Sequence, residues 1–493
     1  MPATDPGEFR RLTRYPREAR PRATVAVLAI LTLATALLYL QPIASIMARV
    51  PLSYDEGWNA YNAATAITGG ALYPPSYALI TNNYPPLSFY FVGELGRLVG
   101  DDIIAGRFVA LASLIIVAVN AYLVCAAGGT KTGSVFAALL LLAYIGSFYR
   151  GYVAIDEPQW FGHALMTGAL VVFIWSQRAA ARPGGSRLLA PVLMTAGGFV
   201  KFNLIPLPLA VLIWCSVHDR AELRRWLSIG AILTGTALAG CYLAFGPDFF
   251  SDVLQPRPYS AARMLIGSRK ALSPLFLLTA AGVLLFIAAR RKPLVQLVLL
   301  WAALGCASGM TFVGGAGVNY NVFFDLLIAL CIAAGLLIAQ VQRRSARRFV
   351  VPLLMLLLAL PPLTRVPGRV AAFAAYLSNT ATQRRETAQD IALLAAQRGP
   401  VACEMLALCY WAGKGYEIDF FNTAQKIMEG RVSPEALIAG LDQHRYGAVA
   451  LTLNPPLEER LPAAVMTRLR RDYERALVDP NGWVILLPAA SGR

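Results

Sequence analysis

The chain runs to 493 residues, of which 57% are hydrophobic and 15% charged, against roughly 45–50% and 25% in a soluble globular protein. With a mean hydropathy of +0.54, this excludes disordered, collagen-like and disulfide-scaffold proteins and points to a bilayer. The net charge of +16 then reads as a record of membrane orientation rather than of nucleic-acid binding, and seven cysteines without CxxC or metal-ligand spacing favour neither zinc nor redox chemistry.

Residues 1–23 form a basic tail carrying Arg10, Arg11, Arg14, Arg17, Arg20 and Arg22. Eleven apolar runs follow, at 24–46, 104–125, 133–149, 159–177, 188–200, 203–217, 226–245, 273–289, 293–309, 322–340 and 349–363. A spanning helix needs about 20 mostly apolar residues. The fifth and sixth runs are the shortest; they carry Pro191, Pro206 and Pro208, with Lys201 between them. The first run is too long for a signal-peptide core and has no cleavage site, so an uncleaved anchor is expected.

Alternate connections carry Lys131; Arg178, Arg182 and Arg187; Arg220, Arg224 and Arg225; Arg290, Arg291 and Lys292; and Arg343, Arg344, Arg347 and Arg348. Lys and Arg resist translocation, so this side and the basic tail are expected in the cytoplasm of a bacterial inner membrane. The acidic residues, Asp55, Glu56, Asp101, Asp102, Asp156 and Glu157 among them, then gather outside. An odd number of spans also puts the C-terminal region outside.

The first outer loop, 47–103, is the least membrane-like part of the transmembrane region 24–363. Ser53-Tyr54-Asp55-Glu56 has the S-x-x-E form of a capping box, which predicts a helix starting at Tyr54 or Asp55. Glu56 has the box to close, whereas Asp55 lies in a first turn that favours its ionised form. Both acids capping the helix is the bland alternative. Asn82-Asn83-Tyr84-Pro85-Pro86 reads as a stiff turn, and Arg107 near the start of the second run as a snorkelling cation or a partner of Asp101 or Asp102. Asp156-Glu157-Pro158 opens the fourth run, with Pro158 suited to a first helical position.

Lys201, an ionisable group at membrane depth, is a functional candidate by that fact alone. Arg257, Arg263, Arg269 and Lys270 lie on the same outer side. Gly314-Gly315-Ala316-Gly317 leads into Asn319, Tyr320 and Asn321, side chains able to hydrogen-bond sugar hydroxyls. His163 inside the fourth run reads as a packed helical histidine.

From about residue 364 to 493 the composition changes. Short strands are expected at 401–404, 416–421, 448–452 and 483–487, alternating with helices at 384–397, 434–445 and 463–476, which predicts a small α/β domain. Pro361, Pro362, Pro367 and Gly368 mark its linker. Cys403 and Cys409 are expected as two buried free thiols, although a disulfide is open to them outside the membrane.

The acidic pair in a long first outer loop, the Tyr84-Pro85-Pro86-Leu87 turn, the acidic pair opening the fourth helix, Lys201-Phe202-Asn203, the loop Gly314 to Asn321 and the outer α/β domain together resemble the polytopic GT-C glycosyltransferases. The likeness is to the branch with protein O-mannosyltransferases, lipid A aminoarabinose transferase and rhizobial lipopolysaccharide galacturonosyltransferases. The resemblance implies a GT-C-like helical membrane fold and transfer of a sugar from a polyprenyl-phosphate donor to a glycan, lipid or protein acceptor. By it Asp55 would be the general base of an inverting reaction, with Glu56, Asp156 and Glu157 as further catalytic acids. A divalent metal, if any, would sit on Asp156 or Glu157. Lys201, Arg257, Arg263, Arg269 and Lys270 would hold the donor phosphate, and Tyr84, Arg107, Asn319 and Tyr320 the substrate. Two departures stand out: Tyr84 stands where the aminoarabinose transferase has a lysine before its paired prolines, and Asn203 where the lysine element has a threonine. A transporter or flippase for a lipid-linked or small substrate is the main alternative, though it leaves the acidic loop and the outer domain unexplained; a non-catalytic assembly subunit, with the outer domain as a docking module, is a third reading.

Overall fold

The computed structural model describes residues 22–178, 185–344, 349–453, 461–480 and 482–489. Arg10, Arg11, Arg14, Arg17, Arg20, Arg182, Arg347 and Arg348 lie outside the described residues, as do the side chains of Arg178 and Arg187.

Every apolar run folds as a helix. In chain order these are α1 (Arg22–Ser45), then the loop helices α2 (Tyr54–Thr68) and α3 (Leu87–Val99), then α4 (Asp102–Ala126), α5 (Lys131–Phe148) and α6 (Gln159–Arg178). The short pair α7 (Gly185–Gly198) and α8 (Pro206–His218) is followed by α9 (Arg220–Phe245), α10 (Asp248–Val253), α11 (Ala261–Leu272), α12 (Phe276–Ala289), α13 (Pro293–Phe312), α14 (Phe324–Arg344), α15 (Val350–Leu363) and α16 (Val366–Ala396). Among the described residues, eight segments are long and apolar enough to cross a membrane. The other three runs differ by length or polarity: α7 and α8 have 14 and 13 residues, and α6 carries Gln159 and His163 on its first turns.

The expected linker is helical. Pro361 and Pro362 close α15, and Pro367 sits in the first turn of α16, where a missing N–H has no intrahelical partner to lose. The 31-residue α16 thus runs on into the C-terminal α/β domain, and the helix expected at 384–397 is its last portion.

That domain holds one four-stranded sheet, β1 (Val401–Cys403), β2 (Ala448–Thr452), β3 (Tyr473–Val478) and β4 (Trp483–Pro488), in the order β1-β2-β4-β3. β1 and β2 are parallel, and the other pairs antiparallel. Three short helices, α17 (Leu406–Trp411), α18 (Phe420–Met428) and α19 (Glu435–Asp442), connect β1 to β2, and α20 (Ala463–Asp472) precedes β3. No strand forms at 416–421. Asp419 there caps α18 by accepting from the Asn422 N–H, and a satisfied helix cap outweighs the aromatic, strand-like composition. The helix expected to reach residue 476 stops at Asp472, because Tyr473 onward pairs with β4. Cys403 and Cys409 form a disulfide with Cα atoms 5.9 Å apart, not two free thiols: β1 turns straight into α17, which brings the sixth residue on back over the first.

Three apolar clusters organise the molecule. The largest fills the helical body around Leu140, Trp301 and Phe324. A smaller one lies inside the α/β domain around Leu437, Tyr446 and Val449. Between them, a third joins Trp58 and Tyr61 of α2 and Phe89 of α3 to Leu394, Leu406, Cys409 and Trp483. Helix α2 is therefore held between bundle and domain. At Gly57 the contact is so close that a Cβ would lie 2.1 Å from the Ala407 backbone nitrogen.

Candidate active site

The junction between bundle and domain gathers the acidic pairs of the 47–103 loop and of the loop before α6. Helix α2 begins at Tyr54, and the Ser53 hydroxyl accepts from the Asp55 N–H. Glu56 does not close the box on Ser53; its Oε2 accepts from the Leu52 N–H at 2.8 Å. Both its oxygens also take Arg107, Oε1 from Nε at 2.7 Å and Oε2 from Nη2 at 2.7 Å. Arg107 spends its other donors on the carbonyls of Ser45, Ile46, Ala48 and Val50. Both side chains are fully buried. Glu56 and Arg107, expected as a catalytic and a substrate-binding residue, are thus placed in a buried pair that pins the 45–50 segment to α2 and α4. Asp101, which might have paired with Arg107, caps α4 and takes Arg49 at 3.2 Å and the Trp411 indole at 3.0 Å.

Glu157 is also committed. One oxygen pairs with the Lys201 ammonium, and the other accepts from the Gln159 N–H at 2.8 Å, capping α6. Lys201, in the turn between α7 and α8, further donates to Gln159 Oε1 at 3.1 Å and lies 4.5 Å from the Tyr84 ring centroid. Burial alone would lower its pKa, but the Glu157 charge and hydrogen bond outweigh that and raise it. Gln159 passes the network on to His163 at 2.9 Å and accepts from the Asn321 amide at 3.3 Å. Tyr84 is set in place by its N–H on Asn82 Oδ1, an Asx-type turn, and by the edge of Trp58.

Asp156 is buried against the Gly106 backbone, where any Cβ would collide with its carboxylate. Its Oδ2 has no hydrogen-bond partner. Burial first, then the neighbouring Glu56 and Asp102, push its pKa well above the ordinary carboxylate value, with Arg107 pulling the other way. A divalent metal on Asp156 or Glu157 does not fit this arrangement. Glu157 is taken by Lys201, burial disfavours the charged form of Asp156, and among the described residues no three Asp, Glu, His or Cys side chains come together as a metal site.

Asp55 is left. It is half-buried, within electrostatic reach of Glu157, Lys201, Tyr84 and Tyr152, and among the described residues it has no ion-pair partner. Its side chain accepts only from the Ser53 hydroxyl at 3.4 Å. Burial, and next the Glu157 carboxylate, push its pKa up to about 6 from 3.8, with Lys201 and Ser53 pulling the other way. A carboxylate in that state is ionised at neutral pH yet more basic than usual.

The remaining expected cations divide. Arg257 lies within reach of Tyr84 and donates to the Ala316 carbonyl at 3.0 Å. Arg263 is half-buried in the first turn of α11, and Arg269 is exposed near its end. Lys270 lines a separate groove of about 410 Å³ with Arg365, Tyr149 and Tyr320. That groove adjoins, through one aromatic wall, the recess that Glu157, Lys201, Tyr84 and Tyr152 form around half-buried Asp55: Tyr149 and Tyr152 both pack edge-on against Phe324, at 5.4 and 5.2 Å. Arg365 was not among the sequence candidates, having been hidden in the supposed linker. Asn319 turns its side chain back onto the Tyr320 N–H at 2.8 Å, so Asn321 rather than Asn319 joins the site.

These elements define a polytopic membrane protein of GT-C architecture, with its recess under an α/β cap. No family model matches the sequence, and no characterised protein matches it by sequence alone. In structure the chain is similar to ArnT from Cupriavidus metallidurans bound to undecaprenyl phosphate, with a TM-score of 0.63 at 14% identity over 95% of this chain and 99% of that one. Against ArnT in the apo state the TM-score is 0.61 at 13% identity, over 94% and 98%.

Proposed function

We propose that the protein is a membrane glycosyltransferase that moves a sugar from a polyprenyl-phosphate carrier to an acceptor at the outer face of the membrane. The observation that carries this reading is the charge balance of the recess: Glu56 faces Arg107, Glu157 faces Lys201, burial favours the neutral form of Asp156, and Asp55, without an ion-pair partner among the described residues, has its proton affinity raised. The ArnT likeness supports a lipid-linked donor, since the matched structure holds undecaprenyl phosphate.

In this reaction an acceptor hydroxyl gives its proton to Asp55 as its oxygen bonds to the anomeric carbon. The bond from that carbon to the phosphate oxygen breaks, and the carrier phosphate departs with the electron pair. One displacement gives inversion. A carboxylate suffices as base because an oxocarbenium-like transition state lets the proton move late. The leaving phosphate needs cations; Lys270 and Arg365 line a groove with no carboxylate among its lining residues, and Arg257 approaches from the Tyr84 side. Lys201, whose ammonium is already shared by Glu157, Gln159 and Tyr84, shapes the recess rather than holding phosphate.

The test uses protein in nanodiscs supplied with polyprenyl-phosphate-linked sugars extracted from bacterial membranes. Mass spectrometry should show free carrier phosphate forming together with a glycosylated acceptor. Carrier-linked sugar that crosses the bilayer chemically unchanged would overturn the enzyme reading in favour of transport.

A further inference from the structure

Among the ties between the outer domain and the recess is one buried carboxylate that meets the residue next to Asp55. Asp419 is fully buried, and capping α18 requires of it only one bond, from the Asn422 N–H to Oδ1 at 3.0 Å. Its other bonds do not serve that helix end alone. The Tyr54 hydroxyl donates to Oδ1 at 3.1 Å, the Tyr416 hydroxyl to Oδ2 at 3.2 Å and the Asn422 amide to Oδ2 at 2.6 Å. A buried carboxylate is tolerated only when its lone pairs are met, and these four donors meet them. Tyr54 is the residue before Asp55 and opens the same helix. Its ring also packs edge-on against Phe421, with centroids 6.3 Å apart.

The same short stretch fastens the other walls. The Asp419 N–H and the Thr423 hydroxyl both donate to the Leu79 carbonyl, at 2.8 and 2.7 Å. Lys426 donates to the carbonyls of Ala78 and Ile80 at 3.2 and 3.4 Å, in the segment that leads to Tyr84. Phe421 lies against Gly317, so closely that a Cβ there would stand 2.4 Å from its ring; that loop ends in Asn321. The three loops bearing Asp55, Tyr84 and Asn321 are thus tied to one helix of nine residues. Apolar packing alone would join two domains without a buried charge. Here the charge sits where Tyr54 meets it.

We infer that Asp419 is a positioning residue that acts through Tyr54 to set Asp55 and close the recess around it. This rests on Asp55 being the base of the proposed transfer. Releasing the latch opens the recess to water, which weakens the burial that raises the proton affinity of Asp55. The groups facing Asp55, namely Glu157, Lys201, Glu56, Tyr84, Tyr152 and Ser53, stay the same.

The experiment follows labelling of Asp55 by a water-soluble carbodiimide, which reacts with the protonated carboxyl, as a function of pH, together with amide hydrogen exchange, on full-length protein in nanodiscs. Asp419→Asn, which puts an amide donor among donors, should lower the labelling midpoint by about one pH unit and speed exchange over residues 54–58 and 78–84. Tyr54→Phe, which removes one hydroxyl and keeps the packing, should shift the midpoint less and in the same direction. A folded Tyr54→Phe protein with wild-type midpoint and exchange overturns the proposal, whatever Asp419→Asn does to the domain. Failure of the catalytic reading shows separately, as sugar transfer surviving Asp55→Asn, because neither readout of the latch depends on turnover.

Discussion

Glu56 and Glu157, close to Asp55 but more deeply buried, each have a cation at hydrogen-bond distance, which Asp55 lacks among the described residues. Breaking a buried pair leaves an uncompensated charge and costs about 3–5 kcal/mol. Lys201→Met is therefore expected to destabilise the protein by about that amount in a thermal or denaturant melt, and Lys201→Met combined with Glu157→Gln to recover most of it. If the single and double variants melt alike, the pair has no such coupling. The pH dependence of Asp55 has a definite sign. Transfer needs the ionised form, so its rate should climb as pH rises through about 6 and level off above. Stability runs the other way: a folded-state pKa above the unfolded one gives stability that is complete below about 4 and is lost as pH rises through about 6. A rate profile flat from pH 5 to 8 would remove Asp55 from the rate-determining proton transfer.

At the scale of elements, α2 is set by what lies on its two sides. At Gly57 a methyl group would overlap the α17 backbone, and overpacking of that kind costs about 1–3 kcal/mol. Gly57→Ala should lower the melting temperature and expose the 400–412 segment to protease, while an unchanged melt would show that α17 yields freely. The Cys403–Cys409 disulfide closes a loop of six-residue separation, worth roughly 2 kcal/mol in chain entropy. Cys403→Ser with Cys409→Ser should loosen α17 by about that much, read as faster amide exchange over 406–411. The helices were legible because apolar runs in a chain of this composition leave few alternatives, and Ser53 announced the start of α2. The α/β domain was less so. Residues 416–421 look like a strand until Asp419 caps a helix, and Pro367 looks like a break until it opens one. Of the site, Asp55, Asp156, Glu157 and Lys201 stood out as charges in an apolar chain. Asp419, Gln159 and Arg365 did not, since their importance comes from partners scores or hundreds of residues away. Arg107 and Glu56 were legible as residues but not as each other's partners, which only the packing of α2 on α4 decides.

For the whole molecule the proposed sidedness, with basic connections in the cytoplasm and acidic loops and domain outside, is the one that the distribution of charge and the disulfide favour. A disulfide is at home in an oxidising compartment. In intact cells a membrane-impermeant maleimide should label a cysteine placed at exposed Arg475 and not one at exposed Arg290; the reverse pattern would invert the topology. With that orientation, the account comes down to whether one unpaired carboxylate removes the proton from the acceptor. Its most direct test is the rate of carrier-phosphate release from a saturating lipid-linked sugar by wild-type protein and by Asp55→Asn in the same nanodiscs. Loss of a general base predicts a fall of about 10²–10⁴-fold with the melting temperature and carrier binding preserved. A variant that releases carrier phosphate at the wild-type rate would contradict the account.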